Sequence, residues 1–359
     1  MTSFSVLIRD FDDIDWRPRT DDFFRRDLAR HGPLWLRIAN FYERNISFLE
    51  LLPPGQLVLW KMEHWGGSTP FDHVPATAGL NLDGYVQKVL SLGHRISPYT
   101  FTERNVELLR TDIPCLRDLD IAVLPIAQKP LDFESTVLEL RTELGIGAEE
   151  LLLGAGGLGE PSRGKGLDEL ACWFLSTVRD PATHLLCTVI PDGDGFTAES
   201  LRARWEFQAG VLSSPRLHIR ISDYGSWPWM CSFYSEINAM LINSVSDSWG
   251  RMAAEAIGFG VPTLIRRANC ATNDIVADPV LVDAYAGMSE DRFRSLLARA
   301  TDRSAAQARF VNRNYNIPRV RGLLLALLAR KTPAELLPEL DRLARKPLSV
   351  SLADTLIVK

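Results

Sequence analysis

Short apolar runs alternate with amphipathic stretches along most of this sequence, and that alternation is the strongest constraint on its fold. Strands spaced by helix-length segments cannot be joined as hairpins, so they read as parallel sheets wound with helices. The pattern occurs twice. In the first pass, the spacing predicts strands at Phe4 to Ile8, Leu34 to Ile38, Leu57 to Trp60, Ile96-Ser97 and Ile121 to Leu124. Helices are expected at Asp21 to Arg30, Val86 to Leu92 and Thr102 to Arg110, the last with Thr102 as N-cap. After the linker-like Gln128 to Phe133 and a short helix at Val137 to Leu144, the alternation starts again. Strands are then predicted at Leu151 to Leu153, His184 to Ile190, Leu217 to Ile221, Ala239 to Ile242 and Thr263 to Ile265. Helices are predicted at Asp168 to Thr177, Leu201 to Ala209, Phe233 to Asn238 and Arg251 to Gly258. Gly154 to Gly166 reads as a glycine-rich loop.

Length agrees with a double pattern. At 359 residues the chain exceeds the ~250–300 residues at which one core stops growing. We therefore expect an N-terminal Rossmann-like domain over residues 1–130, a second domain over 131–318, and helices over 319–359. With 46% hydrophobic and 24% charged residues, disorder and fibrous folds are excluded for the bulk of the chain. The formal net charge of −5 argues against a nucleic-acid binder, which needs a basic field. Five cysteines, Cys115, Cys172, Cys187, Cys231 and Cys270, stand singly. With no CxxC pair, neither a disulfide framework nor a thiolate zinc site is expected, and a reducing, cytoplasmic setting fits. No run reaches the ~18 apolar residues of a membrane span, and Met1 to Trp16 carries acids where a signal peptide needs a basic and then an apolar run.

Three readings compete at residues 154–166. Gly154-Ala155-Gly156-Gly157-Leu158-Gly159 is a literal GxGxxG after a strand. A dinucleotide site also needs a helix to start there and an acid ~20 residues on; Pro161 and Gly164 interrupt such a helix, and positions 174 to 178 hold no acid. Gly159 to Gly166 nearly matches a P-loop, but Gly166 stands where the magnesium-binding Ser or Thr is required. The third reading is a loop that brings Arg163 and Lys165 to a helix start near Leu167. Free backbone N–H groups and two cations there suit a diphosphate. A plain surface loop with two solvated cations is the bland alternative.

A second segment weighs in favour of the diphosphate. Ser246-Asp247-Ser248-Trp249-Gly250-Arg251 leads through Glu255 to Gly258-Phe259-Gly260-Val261-Pro262. It resembles the Glu-x7-Glu motif of retaining GT-B glycosyltransferases, in particular family 4-like members, with Asp247 at the first Glu and Glu255 at the second. Ser248-Trp249-Gly250 stands at the family's Gly-Phe-Gly. Lys165-Gly166 looks like the Lys-Gly pair of the family's first loop, with Gly157 at the Arg of its Gly-Arg-Leu, and Asp192 to Gly195 resembles its Gly-Asp-Gly turn. The resemblance spans about Leu151 to Val276.

The resemblance implies a GT-B architecture, with two Rossmann-like domains whose parallel sheets face each other across a cleft. It implies transfer of a sugar from a nucleotide-diphosphate donor to an unknown acceptor (small molecule, glycan, lipid or protein), with retention, no metal and no further cofactor. Catalytic roles would fall to Asp247, on donor-sugar hydroxyls, and to His64, which follows the third predicted strand as a family histidine does. Arg163, Lys165, Ser248, Trp249, Gly250 and Glu255 would bind the nucleotide, Glu255 taking the ribose hydroxyls. Asp72 and His73 are the fallback for His64, and His94 reads as structural. Trp16, Trp65, Trp227 and Trp229 are candidates for stacking on a sugar or base, or for core. The family's Gly-Gly loop after the first strand has no counterpart in Arg9 to Trp16, which implies an unusual acceptor side.

Val320 to Leu343 mixes Leu with Arg and Lys, a pattern suited to peripheral membrane contact; the resemblance implies instead a helix that packs back onto the first domain. Other readings of the fold are a nucleotide-sugar epimerase or coupling enzyme, or a non-catalytic subunit that binds a partner glycosyltransferase.

Overall fold

The computed structural model describes residues 35–39, 41, 43–50, 52, 54–63, 81–128, 139–160, 164–191, 197–221, 227–245, 247, 249–268, 270–276, 278–316, 319, 320, 322–324 and 327. The chain divides into two compact units, Met1–Ala127 with Ile317–Lys359, and Gln128–Asn316. The strand and helix expected at Phe4 to Ile8 and Asp21 to Arg30 lie outside the described residues, as do Arg9 to Trp16, most of the stretch from Val320 to Leu343, and the turn Asp192 to Gly195.

The first unit carries β1 (Trp35–Ala39), β2 (Leu57–Lys61), β3 (Arg95–Thr100) and β4 (Ala122–Val123) in the order β1-β2-β3-β4. Every described pairing is parallel, in register Trp35↔Leu57, Leu57↔Arg95 and Tyr99↔Ala122. Parallel neighbours require helical crossovers. These are α1 (Glu43–Glu50), α2 (Leu82–Ser91) and α3 (Glu103–Asp112). Asn81 caps α2 by accepting from the Gly84 N–H at 2.7 Å. Thr102 caps α3, as its position predicts, accepting from Asn105 N–H at 3.1 Å. Phe41, Trp60 and Tyr85 form the aromatic centre of the core, with ring centroids 5.7 to 6.1 Å apart. His94 is buried, its Nε2 3.0 Å from the Leu49 carbonyl, so it is structural.

The second unit has six strands, β5 (Leu151–Glu160), β6 (Thr183–Pro191), β7 (Leu217–Ile221), β8 (Ala239–Ile242), β9 (Thr263–Arg266) and β10 (Val280–Val282). They lie in the order β10-β9-β8-β5-β6-β7, and every described pairing is parallel. β8 reads Ala-Met-Leu-Ile, buried throughout, as a central parallel strand must be when helices cover both faces. The helices are α4 (Leu140–Leu144), α5 (Leu167–Thr177), α6 (Ala198–Ala209), α7 (Trp227–Glu236), α8 (Arg251–Gly258), α9 (Cys270–Asn273) and α10 (Glu290–Asn314). Trp173, Phe174, Trp205, Tyr285 and Phe293 fill its core. The first and last backbone segments of this unit meet in a parallel bridge between Gln128 and Asn316, with the Gln128 N–H donating to the Tyr315 carbonyl at 2.7 Å.

One expectation is corrected. Residues Gly154 to Glu160 are not a loop: β5 runs unbroken to Glu160. At Gly154 and Gly156 neighbours come too close for a side chain. A Cβ on Gly154 would stand 2.7 Å from Ile237 Cδ1 and 2.8 Å from Phe233 Cζ. One on Gly156 would meet Thr188 Oγ1 at 2.5 Å and overlap the tip of Met252. Glycine inside a strand marks such close approach. The GxGxxG run therefore does not form a strand-to-helix turn, and the dinucleotide reading loses its structural context.

Candidate functional site

In the second unit, chain order reverses between β5 and β8. Strands β5, β6 and β7 step outward on one side, and β8, β9 and β10 on the other. Parallel α/β sheets leave a crevice beyond the carboxyl ends of the strands at such a switch point, and ligands bind there. Two loops reach it. One follows β5 and leads through Lys165 into α5. The other follows β8 and leads through Asp247 into α8.

The loops are tied together across about eighty residues of sequence. The Val245 N–H donates to the Gly164 carbonyl at 3.0 Å. The Asn243 amide donates to the Gly166 carbonyl at 2.7 Å. Lys165 Nζ forms an ion pair with Asp247 Oδ1, their side chains only 21% and 16% exposed. Arg266, at the end of β9, braces the arrangement: its Nη1 donates to Asn243 Oδ1 at 3.1 Å and to Glu169 Oε2 at 2.7 Å. Glu169 in turn accepts from the Tyr285 and Ala286 N–H groups at 3.2 and 3.3 Å. Burial pushes its carboxyl up, but Arg266 and these two amides together pull it below its usual value.

Both helices start alike. Gly166 precedes α5 with φ 71°, and Gly250 precedes α8 with φ 70°; neither helix start receives a side-chain cap. A left-handed backbone there favours glycine. The space is also closed to a side chain, because a Cβ on Gly166 would lie 2.6 Å from Asn243 Nδ2 and one on Gly250 would overlap Thr272. First-turn N–H groups without a side-chain cap form a ready anion site. The acids in the first turn of α5 are committed elsewhere, Glu169 as above and Asp168 to Arg204 at 2.6 Å and to the Trp205 indole N–H.

Glu255 lies on α8, 7% exposed, and accepts from the Tyr234 hydroxyl of α7 at 2.7 Å. Trp249 is buried at 3%, its ring edge-on to Tyr315 at 4.9 Å; what it offers a ligand is backbone. Trp229 is buried and stacked on Phe233 at 5.5 Å, with the Arg220 guanidinium 4.6 Å from its ring centroid, which makes it a packing residue. Trp227 stands edge-on to Phe259 at 6.4 Å. Thus Lys165, Asp247 and Gly250 gather at the switch point, with Glu255 one helical turn into α8. His64, Arg163, Ser248, Asp72, His73, Trp16 and Trp65 lie outside the described residues. In the first unit, the buried Lys61, the last residue of β2, pairs with Glu63 two residues on. Among the described residues no group of three His, Cys, Asp or Glu side chains is placed to hold a metal ion, and no helix is long and apolar enough to cross a membrane.

Reading the sequence missed three participants. Asn243 had a signal, as the first polar residue after the apolar run of β8. Arg266 ends β9 in the same way. Tyr234 had none: the helix expected at Phe233 to Asn238 begins instead at Trp227 and ends at Glu236, and a tyrosine among its aromatic residues looks like core.

No family model matches the sequence, and no curated protein matches it. Solved structures do match by shape. The UDP-forming α,α-trehalose-phosphate synthase from Burkholderia xenovorans superposes with TM-score 0.62 at 16% identity, over 87% of this chain and 76% of that one. Sucrose-phosphate synthase from Thermosynechococcus elongatus gives 0.61 at 13%, over 86% and 76%. Anabaena HepE, in complex with UDP and glucose, gives 0.60 at 12%, over 86% and 81%. These neighbours are GT-B glycosyltransferases. The chain has the GT-B fold. Within this GT-B chain, identities of 12 to 16% speak for the fold alone.

Proposed function

We propose that this chain is a glycosyltransferase that moves a sugar from a nucleoside-diphosphate donor to an acceptor hydroxyl, with retention and without a metal. One observation carries the reading: two glycine-started helices and the Lys165–Asp247 pair converge at the switch point of a GT-B sheet. The names of the neighbours agree, since HepE is described with UDP and glucose.

The chemistry follows from charge. When the bond between the anomeric carbon and the diphosphate oxygen breaks, its electron pair leaves on the diphosphate. Lys165 and the N–H groups starting α5 and α8 stabilise that charge, and they are preorganised, so little reorganisation is required. Asp247 holds donor-sugar hydroxyls while it orients Lys165. Glu255 accepts from ribose hydroxyls. The acceptor oxygen bonds the anomeric carbon from the face the diphosphate leaves, and its proton passes to the departing phosphate oxygen. No protein base is required in this scheme. We assign His64 to the donor-sugar side and Arg163, Ser248, Trp249 and Gly250 to the nucleotide, following the motif.

The test is thermal unfolding with UDP, GDP, ADP, dTDP, NAD and Mg-ATP, on the wild type, Lys165→Ala and Glu255→Ala. A ligand at ~100 times its Kd adds about 2.7 kcal/mol, a rise of about 4 °C for a chain of this size. We expect one nucleoside diphosphate to give that rise and both variants to lose about half of it or more at the same ligand concentration. No rise with any diphosphate would withdraw the transferase reading.

A further inference from the structure

We propose that Tyr234 is a positioning residue for Glu255, and that it sets the preference of this protein for ribonucleoside over 2′-deoxyribonucleoside diphosphates. The inference rests on the reading of Glu255 as the ribose acceptor given above.

The Glu255 carboxylate has little room. Glu255 is 7% exposed, and its Oε2 accepts from the Tyr234 hydroxyl at 2.7 Å. The two residues come from different helices, Tyr234 from α7 and Glu255 from α8. Aromatic packing fixes where the hydroxyl stands. The Tyr234 ring meets Phe233 edge-on at 5.3 Å between centroids and Phe259 at 5.4 Å. Tyr234 itself is buried at 1% exposure, so the hydroxyl cannot swing to solvent.

The direction of the bond is fixed too. Burial, and then the Glu255 charge, hold the Tyr234 phenol well above its usual pKa. It stays protonated and can only donate to the carboxylate. The last torsion of a glutamate side chain is broad and roughly two-fold, so each donor fixed on the carboxylate narrows the planes it can take. A fixed donor on Oε2 selects one plane and thereby aims Oε1. A ribose presents two neighbouring hydroxyls, and accepting both demands a carboxylate in one plane. A deoxyribose presents one hydroxyl fewer and makes less of that alignment. Tyr234 therefore acts on ribose discrimination through Glu255, without touching the ligand.

The experiment measures Kd for UDP, GDP and ADP against dUDP, dGDP and dADP by calorimetry on the full chain. The proteins are wild type, Tyr234→Phe, Glu255→Ala and the double variant. Tyr234→Phe keeps the ring and its contacts with Phe233 and Phe259; a thermal midpoint within a few degrees of wild type confirms that it folds. For the nucleotide that binds, a hydrogen bond to a charged group predicts a wild-type ratio of deoxyribo to ribo Kd of about tenfold or more. We expect that ratio to fall to about one to three in Tyr234→Phe and to about one in Glu255→Ala, with the double variant no lower than Glu255→Ala. A ratio kept in Tyr234→Phe but lost in Glu255→Ala overturns the positioning role and leaves the proposed function standing. A ratio that survives Glu255→Ala, or a wild type that binds none of the six, overturns the reading of Glu255 itself and the inference with it.

Discussion

Asn243 closes over Gly166 from the other side of the switch point, its amide donating to the Gly166 carbonyl at 2.7 Å while its Oδ1 accepts from Arg266. The contact joins the residue that ends β8's run to the residue that starts α5. It holds Gly166 in the left-handed conformation from which the α5 N–H groups point into the crevice. It also fills the volume a side chain at Gly166 would need.

Gly166→Ala should therefore be costly twice. The left-handed backbone costs an L-residue about 1–2 kcal/mol, and overpacking against the Asn243 side chain and carbonyl adds about 1–3 kcal/mol. We expect a loss of ~2–5 kcal/mol in urea unfolding, together with loss of nucleoside-diphosphate binding. Asn243→Ala should cost less, about 1–2 kcal/mol, and should weaken diphosphate binding without abolishing it. A Gly166→Ala protein with wild-type stability and binding would show that this helix start is not held as described.

The two ends of the Lys165–Asp247 pair should respond in opposite directions. Lys165→Ala removes a cation from the phosphate site, so nucleoside-diphosphate Kd should rise about 10- to 100-fold, as expected for a charge-assisted contact. Asp247→Asn removes the carboxylate that now neutralises Lys165. Bare UDP or GDP should then bind as tightly as to wild type or tighter, while sugar transfer falls. Calorimetry with the bare nucleotide separates the two. Equal weakening by both variants would mean that Asp247 supports the phosphate site rather than the sugar.

Gly156 tests the corrected reading of the glycine-rich run. Gly156→Ala places a methyl against Met252 and Thr188, and overpacking of this kind costs about 1–3 kcal/mol. Because the clash is with the flexible end of Met252, the double variant Gly156→Ala/Met252→Ala should lose less than the sum of the single losses. Additive losses in chemical denaturation would place the strain elsewhere.

His218 gives the second unit a pH dependence of defined sign. Burial, then the neighbouring His184, lowers its pKa to about 4 from an ordinary 6.5; the two rings stack, with His184 Nδ1 3.2 Å from His218 Nε2. The fold thus favours the neutral imidazole, and the unfolded chain takes up the proton first as pH falls. The stabilisation from this group is complete above about pH 6.5 and is lost as pH drops toward 4. His218→Gln should show a shallower fall in stability between pH 6.5 and 4 than wild type in urea titrations. Parallel curves would remove His218 as the cause.

Much of the framework was legible because its elements obey local rules. β8 and α8 fall at Ala239–Ile242 and Arg251–Gly258, the ranges that their apolar run and glycine borders predict. Thr102 announced its cap. Other elements hid for physical reasons. β10 is only three residues, Val280–Val282, and is a strand because β9 offers it an edge. α10 is 25 residues long yet buries only Phe293, Leu296, Ala300, Gln307 and Val311, so its apolar stripe is thin against a charged background. β5 breaks local propensity outright, since Gly154 and Gly156 are selected by Met252, Thr188, Phe233 and Ile237, residues distant in sequence. The site shows the same division. Lys165, Asp247 and Glu255 carry charge in a recognisable spacing. Tyr234 becomes visible only when α7 and α8 are laid side by side.

The bridge between Gln128 and Asn316 makes the second unit a parenthesis in the chain. Its opening and closing backbone segments lie one strand spacing apart, about 4.8 Å, so the 189-residue stretch Gln128–Asn316 closes on itself as a ring closes on its clasp. A ring can be cut anywhere that its surface tolerates a gap. Joining residue 316 to residue 128 through a few glycines and reopening the chain at an exposed turn such as Gly210, in whose neighbourhood Phe207 and Leu212 already stand clear of the core, would rewrite the order of its strands along the sequence while leaving their order in the sheet untouched.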